Sequence, residues 1–202
     1  MAGPSFKLEK THPMPLAGVD EAGRGPLAGP VVAAAVIFET RRAPKGIDDS
    51  KKLSAQTRAD LCHRIRDSAH VGVGIATVEE IDEINILWAS MLAMERAVAA
   101  LAIEPAMVLV DGNRCPRWTR PSQWVIGGDA LCLSIAAASI IAKEERDRMM
   151  ADYDAHHPGY GWAQNKGYGT AAHLDALSRL GPSPLHRRSF APIAQYSLFS
   201  AA

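Results

Sequence analysis

The apolar positions along the chain change period several times, and each change marks an element. Leu16-Ala17-Gly18-Val19 is a short apolar run that predicts a buried strand, ending in Asp20-Glu21 and the loop Ala22 to Gly29. Pro30 to Phe38, rich in valine and alanine, predicts a second strand. The short glycine-rich link between them predicts antiparallel pairing. Ser54 is placed to cap a helix running to about Ser68, with Leu61 and Ile65 on one face. Val71 to Val78 reads as a third strand. Thr77-Val78-Glu79-Glu80 fits a capping box, so a helical stretch starts there, and Asn85 to Leu101 reads as a longer amphipathic helix.

Met107-Val108-Leu109-Val110 predicts a fourth strand ending in Asp111-Gly112. Trp124-Val125-Ile126 predicts a fifth, ending in Gly127-Gly128-Asp129. Ser134 to about Tyr153 is a long helix, apolar first and charged later. A glycine-rich loop, Gly159 to Gly169, leads to a helix over Thr170 to Leu180 that Gly181-Pro182 stops. The last twenty residues are irregular or end in a short helix. Residues 1–14 carry polar residues and prolines before any periodic pattern and are expected to be a loose arm.

Strands and helices alternate after an initial hairpin, which predicts an α/β fold with a mixed sheet flanked by helices. Residues 15–202 read as a single domain, with a helical cap over about 155–202.

Composition narrows the classes. The chain has 202 residues, 22 basic and 22 acidic, for a formal net charge of zero. That excludes a histone-like polycation and an acidic disordered tail, but not a nucleic-acid enzyme with segregated charge. Cys62, Cys115 and Cys132 are odd in number and form no CxxC pair, so they read as small buried residues in a reducing compartment. The longest apolar runs, Val31 to Phe38 and Ile135 to Ala142 (broken by Ser139), fall far short of the ~20 residues of a membrane helix. The N-terminus lacks the apolar core of a signal peptide, so a soluble, cytoplasmic protein is expected.

The chemistry concentrates in acids at strand ends: Asp20-Glu21, Asp111 and Asp129, each beside glycine. Strand ends are where open α/β sheets build sites. Asp20 and Glu21 alternate across a regular strand, so serving one site requires the chain to turn at Glu21. Any one acid alone is accounted for as a helix cap or turn start. Four converging carboxylates repel, by about 4 kcal/mol for two charges 4 Å apart at an effective dielectric near 20. Oxygen-only ligands suit magnesium or manganese.

Other motifs are weaker. Gly23-Arg24-Gly25-Pro26-Leu27-Ala28-Gly29 has the wrong spacing for a dinucleotide loop and precedes a strand. Arg24 there reads as a solvated loop arginine or a phosphate reader. Lys51 leads into a helix, and Lys143 and Arg146 share a helical face. Tyr168, within Lys166-Gly167-Tyr168-Gly169-Thr170, is placed to stack on a sugar or base, or to pack in its loop. His156-His157 lacks metal-ligand spacing. His186-Arg187-Arg188 reads as a solvated basic patch compatible with a phosphate backbone.

Six blocks carry a resemblance. GVDEAGRGPLAGPVVAAAV at 18–36, DDSKKLS at 48–54, VDGN at 110–113, GGDALCLSIAAASIIAKEERDRMM at 127–150, HPGYGWAQNKGYGT at 157–170 and HRRSF at 186–190 resemble type 2 ribonuclease H, ribonuclease HII. The blocks keep the family's order over roughly 16–193. The resemblance implies a ribonuclease-H-like fold with a C-terminal helical region, and a monomer. It implies hydrolysis of the RNA strand of RNA–DNA hybrids and incision 5′ of ribonucleotides embedded in DNA, leaving 3′-hydroxyl and 5′-phosphate ends. It implies a catalytic site of Asp20, Glu21, Asp111 and Asp129 holding two Mg2+ or Mn2+ ions. It assigns reading of the ribose 2′-hydroxyl to Gly23, Arg24, Gly25 and Tyr168, and backbone contacts to Lys51 and Lys143. Two positions depart from the family pattern: Gly127 stands where many members have lysine, and AKEERD has a polar residue after its lysine. Another metal nuclease of the same fold lacks the DSKKL, GRG and KGYGT blocks. A non-catalytic nucleic-acid-binding module would not need all four acids.

Gln195-Tyr196-Ser197-Leu198-Phe199 resembles the peptide by which bacterial repair proteins bind the sliding clamp, with Gln195, Leu198 and Phe199 as anchors. Charge is also polarised along the chain. Residues 40–66 hold eight basic and three acidic side chains, whereas 77–95 hold five acids and no base.

Overall fold

A computed structural model describes residues 3–199, with side chains described as far as Tyr196. Strand β1 (Leu16–Ala22) pairs antiparallel with β2 (Val31–Ile37), as the short link requires. Helix α1 (Ala55–Ser68) follows, and Ser54 caps it by accepting the Thr57 amide. Strand β3 (His70–Ala76) pairs antiparallel with β2. It stops two residues before the predicted end because Thr77 leaves the ladder to cap α2 (Val78–Ala99). The capping box is complete: Thr77 Oγ1 accepts the Glu80 amide, and Glu80 accepts the Thr77 amide. Asn85 has φ 65° and breaks α2 into two stretches, and its Oδ1 caps the second by accepting the Leu87 and Trp88 amides.

Strands β4 (Met107–Asp111) and β5 (Ser122–Val125) complete a five-stranded sheet in the order β3-β2-β1-β4-β5. Both new pairings are parallel, so the sheet is mixed. Strand β5 starts two residues earlier than predicted and ends before Ile126, which is exposed. Helix α3 (Leu133–His156) is longer than expected, and α4 (Trp162–Asn165), α5 (Ala171–Leu180) and α6 (Ala191–Phe199) follow.

Helix α2 covers one sheet face, packing Met94, Ala97 and Val98 against Ala17, Val19, Ala33 and Val110. Helices α1 and α3 cover the other, where Ile65, Ala137 and Ile141 meet Ala34 and Val36. All seven β2 residues are therefore buried, which explains a strand of unbroken apolar residues rather than an alternating one. The basic segment carrying α1 and the acidic segment carrying α2 lie on opposite faces.

Close approach of helix to sheet depends on strand glycines, Gly72 and Gly74 of β3 beneath α2 and Gly18 of β1 beneath α3. A Cβ on Gly18 would stand 2.2 Å from the Ser134 carbonyl carbon, inside the backbone of α3. Gly18 thus lets the first turn of α3 lie directly on β1, two residues from Asp20.

The segment expected as a loose arm is docked instead. Glu9 is 1% exposed, and its Oε1 accepts the Ser134 amide at 2.9 Å. Helix α3 has no cap from its own N-cap residue, Cys132. Glu9 supplies the missing acceptor from 125 positions away. Phe6 packs edge-on against Phe38. The three cysteines are free, and Cys62 and Cys132 are buried. Among the described residues no helix is long and apolar enough to cross a membrane.

Gly18→Ala should lower stability by about 1–3 kcal/mol, because backbone, not a flexible side chain, must give way. The urea midpoint measures this.

Candidate active site

The two central parallel strands bring the acids together. Register pairs Val19 with Val110, which sets Asp20 and Asp111 one residue further on adjacent strands. Strand β1 runs on through Ala22, so the turn expected at Glu21 does not occur. Asp20 leaves the strand on the α3 face, as Gly18 does, and Glu21 leaves on the other. Beyond Val125 the chain turns through Gly127 (φ 63°) into a short 3-10 turn, Gly128–Ala130, that carries Asp129. The Gly128 amide donates to Asp111 Oδ1 at 2.7 Å. A side chain at Gly128 would meet Ile135 at 2.6 Å, so glycine lets Asp129 fold back under Asp111.

Electrostatics ties the four into one group. Burial pushes the Asp20 carboxyl well above the usual carboxylate range, and the charges of Glu21 and Asp111 push it further. Burial raises Glu21, with Arg24 opposing and Asp111 reinforcing. Burial and the charge of Asp129 raise Asp111. Lys51 Nζ lies 3.7 Å from Asp129 Oδ2. Partial burial alone would lower the Lys51 ammonium, but Asp129, Asp49, Asp20 and Asp111 together hold it above its ordinary value.

A cleft of about 360 Å³ opens beside Asp20 and Glu21. Its walls include Gly23, Arg24, Gly25, Lys51, Lys143 and Tyr168. Asp111 and Asp129 lie outside its lining. Arg24 pairs with Glu21 at 3.3 Å. Lys143 donates to Asp147 at 2.6 Å. Tyr168 is 48% exposed, and a Cβ on Gly25 would stand 3.5 Å from its ring, so the two loops meet edge to edge.

Sequence reasoning missed the part played by three residues. Ser139, which interrupts the apolar run of α3, stands close enough to Asp20 to oppose the rise of its carboxyl and lies 2.9 Å from Ser50 in the same wall. That break in an apolar helix was the available signal. Arg146 and Arg187 are 1% and 0% exposed, so the predicted solvated patch at His186-Arg187 is a correction: only Arg188 of the three is exposed. Neither buried guanidinium has a carboxylate within ion-pair distance among the described residues. Both are held by backbone carbonyls instead. Arg146 donates to Ala28, Pro30 and Lys166 at 3.0, 3.0 and 2.9 Å. Arg187 donates to Gly23, Arg24 and Gly29 at 2.5, 2.9 and 2.9 Å, and to Pro30 at 3.2 Å. Burial lowers Arg146 to about 10 and Arg187 to about 9, which leaves both charged at neutral pH. Gly23 (φ 99°) must be glycine, since a Cβ would stand 2.0 Å from Arg146 Nε. With the Gly23 and Arg24 carbonyls turned inward, no protein acceptor takes the Arg24 or Gly25 amide among the described residues.

The residues match the description Ribonuclease HII over 17–193. The chain belongs to the ribonuclease HII family. A ribonuclease HII of Rhizorhabdus wittichii is 87% identical over 202 residues, covering 100% of each chain. The ribonuclease H2 of Pyrococcus horikoshii OT3 is similar in structure at TM-score 0.76 and 26% identity, covering 91% of this chain and 97% of that one. Two further structures share the fold. The ribonuclease HII from Archaeoglobus fulgidus solved in complex with PCNA has TM-score 0.65, 23% identity and coverage of 86% and 94%. A Bst ribonuclease HIII in complex with Mn2+ has TM-score 0.69, 19% identity and coverage of 92% and 70%. The mixed five-stranded sheet with flanking helices is thus ribonuclease-H-like, as the resemblance implied. Family members are metal-dependent endonucleases that hydrolyse RNA in RNA–DNA hybrids.

The acids suit a divalent cation by donor chemistry. All are oxygen ligands, the carboxyls of Asp20, Glu21 and Asp111 are raised by burial and by neighbouring carboxylates, and Glu21 Oε2 is buried without a hydrogen-bond partner. Among the described residues, no three His, Cys, Asp or Glu side chains are closed around one ion-sized point, so the group is gathered rather than caged.

Arg187→Lys keeps the charge but loses the planar fork that spans four carbonyls. It should cost at least about 2 kcal/mol and speed proteolysis of the 23–30 loop relative to the parent. Limited proteolysis beside thermal unfolding checks both.

Proposed function

We propose that Asp20, Glu21, Asp111 and Asp129 hold two Mg2+ or Mn2+ ions and make this chain a nuclease that cuts 5′ of ribonucleotides embedded in duplex DNA, as well as the RNA strand of hybrids. The observation that carries this reading is the juxtaposition of the acid group with two interlocked loops, Gly23–Gly25 and Lys166–Tyr168. Bound cations would neutralise the carboxylates, activate water and stabilise the leaving oxygen, giving 3′-hydroxyl and 5′-phosphate ends. No nucleophilic serine or cysteine with a histidine partner lies in the cleft.

The remaining work falls to this chain's own groups. The outward amides of Arg24 and Gly25 bind the ribose 2′-hydroxyl, which alone separates a ribonucleotide from its deoxy counterpart with the same base. The exposed Tyr168 ring packs on the sugar at the junction. Lys51 and Lys143 contact backbone phosphates, Lys143 by exchanging Asp147 for substrate. Gly127 offers no cation where many family members have lysine, and Lys51, beside Asp129, supplies positive charge there. We propose that the chain acts as a monomer, in the cytoplasm. Clamp binding through Gln195, Leu198 and Phe199 belongs to the same proposal. Gln195 lies exposed on α6, and the side chains of Leu198 and Phe199 fall outside those described. The Archaeoglobus fulgidus complex with PCNA supports it by analogy.

Asp111→Asn and Asp20→Asn should each lower cleavage of a duplex with one ribonucleotide by at least about a hundredfold in Mg2+ or Mn2+, with unchanged circular dichroism. Full activity in either variant rejects the assignment. Tyr168→Ala should lower junction cleavage by about tenfold or more while duplex affinity changes less than about threefold. Parallel loss of both measures a general binding role instead.

A further inference from the structure

Two histidines outside the cleft are linked by hydrogen bonds to the backbone of Tyr168, and their partners dictate where each proton sits. His173 lies in the first turn of α5 and His186 on the segment leading to α6, at 0% and 1% exposure. The Ser183 amide donates to His186 Nδ1 at 2.9 Å. An amide can only donate, so Nδ1 is bare and the His186 proton sits on Nε2. His186 Nε2 lies 3.0 Å from His173 Nε2, and Trp162 Nε1 donates to that same His173 atom at 3.2 Å. His173 Nε2 is therefore the acceptor, and its proton sits on Nδ1, 2.8 Å from the Tyr168 carbonyl oxygen. Donation runs one way, from Ser183 through His186 and His173 to Tyr168.

The chain ends where the cleft begins. The Tyr168 carbonyl also accepts the Thr170 amide at 2.8 Å, and the Tyr168 amide donates to Asn165. The Tyr168 backbone is thus held from within while its ring faces out. His186 is itself bridged to Ala28, in the loop that Arg146 and Arg187 grip. The titratable groups around the pair are Tyr160, edge-on to both rings, His157 beside Trp162, and Asp154, committed to the Trp162 amide. Arg187 follows His186 in the chain and turns to the carbonyls already named.

We propose that His173 and His186 are positioning residues for Tyr168. Their one-way relay, complete only with both rings neutral, sets the Tyr168 loop against Gly25 and so contributes to selectivity for ribonucleotide junctions. This rests on Tyr168 reading the ribose. Protonating either ring would set a new N–H against a donor already aimed at it. Burial, with the neighbouring His173 and His157, lowers His186 to about 4, and burial lowers His173, so both stay neutral at neutral pH.

The test separates His173 from its own fold-stabilising role. In His173→Asn the amide nitrogen is bonded to Cγ, as Nδ1 is, and keeps a donor for Tyr168. In His173→Gln the amide sits one bond further out and leaves that carbonyl. The readout is the kcat/KM ratio for a single-ribonucleotide junction over an all-RNA hybrid, with each Tm recorded. His173→Gln should lower the ratio about tenfold, and His173→Asn should hold it within about threefold of the parent. Equal ratios in the two variants, or an unchanged ratio in His173→Gln, overturn the proposal. Tyr168→Ala runs alongside. An unchanged ratio there overturns the Tyr168 reading and the relay with it. A ratio lost there but kept in His173→Gln overturns the relay alone. Long-range 1H–15N spectra of the intact protein should find protons on His173 Nδ1 and His186 Nε2, and the opposite tautomers overturn the relay whatever the cleavage data.

Discussion

Two arginine side chains, buried with no carboxylate partner among the described residues, hold the loops that wall the cleft in place. Leaving a charge in the interior is costly unless hydrogen bonds replace its hydration. Arg146 and Arg187 meet that requirement with six backbone carbonyls drawn from residues 23–30 and 166. The exchange constrains both sides. The guanidinium groups are solvated only if both loops stay in place, and the loops keep their irregular path only while the guanidinium groups fill the space beneath them. Turning carbonyls inward leaves outward amides, which is what a hydroxyl-reading surface requires.

One face of α3 connects this scaffold to the acids. Ser139, Lys143, Arg146 and Met150 follow at helical spacing. Ser139 and Lys143 line the cleft beside Asp20, Arg146 grips the loops, and Met150 packs where a side chain on Gly29 would be. The helix therefore sets the distance between the acids and the loops proposed to read the ribose. Its own position depends on Gly18, which admits it to the sheet, and on Glu9, which caps it. The N-terminal segment thus acts on the geometry of a site it does not enter.

The two halves of the cleft differ in physical character. The loops are held to the interior through their carbonyls and are preorganised. The acids are the opposite: buried or half-buried, mutually repelling, with one Glu21 oxygen unpartnered. A preorganised loop wall beside an electrostatically unsatisfied centre suits the proposed binding of cations and substrate in one cleft.

The sequence by itself determined most of the elements and pointed to the acids at the strand ends, but did not show the short helix α4 inside the expected loop 159–169. Period, capping residues and glycines are local signals, so the hairpin, the Ser54 and Thr77 caps and even the break at Asn85 were legible from neighbours in the chain. Tertiary structure decided what depends on partners far apart. Nothing local distinguishes Arg187 from Arg188, yet one is buried under the 23–30 loop and the other faces solvent. Nothing local predicts that Glu9 caps a helix 125 positions later, or that β1 continues past Glu21. Burial and hydrogen bonding at long range settle these choices, because a polar group's environment is set by whatever the fold packs against it, not by its neighbours in sequence.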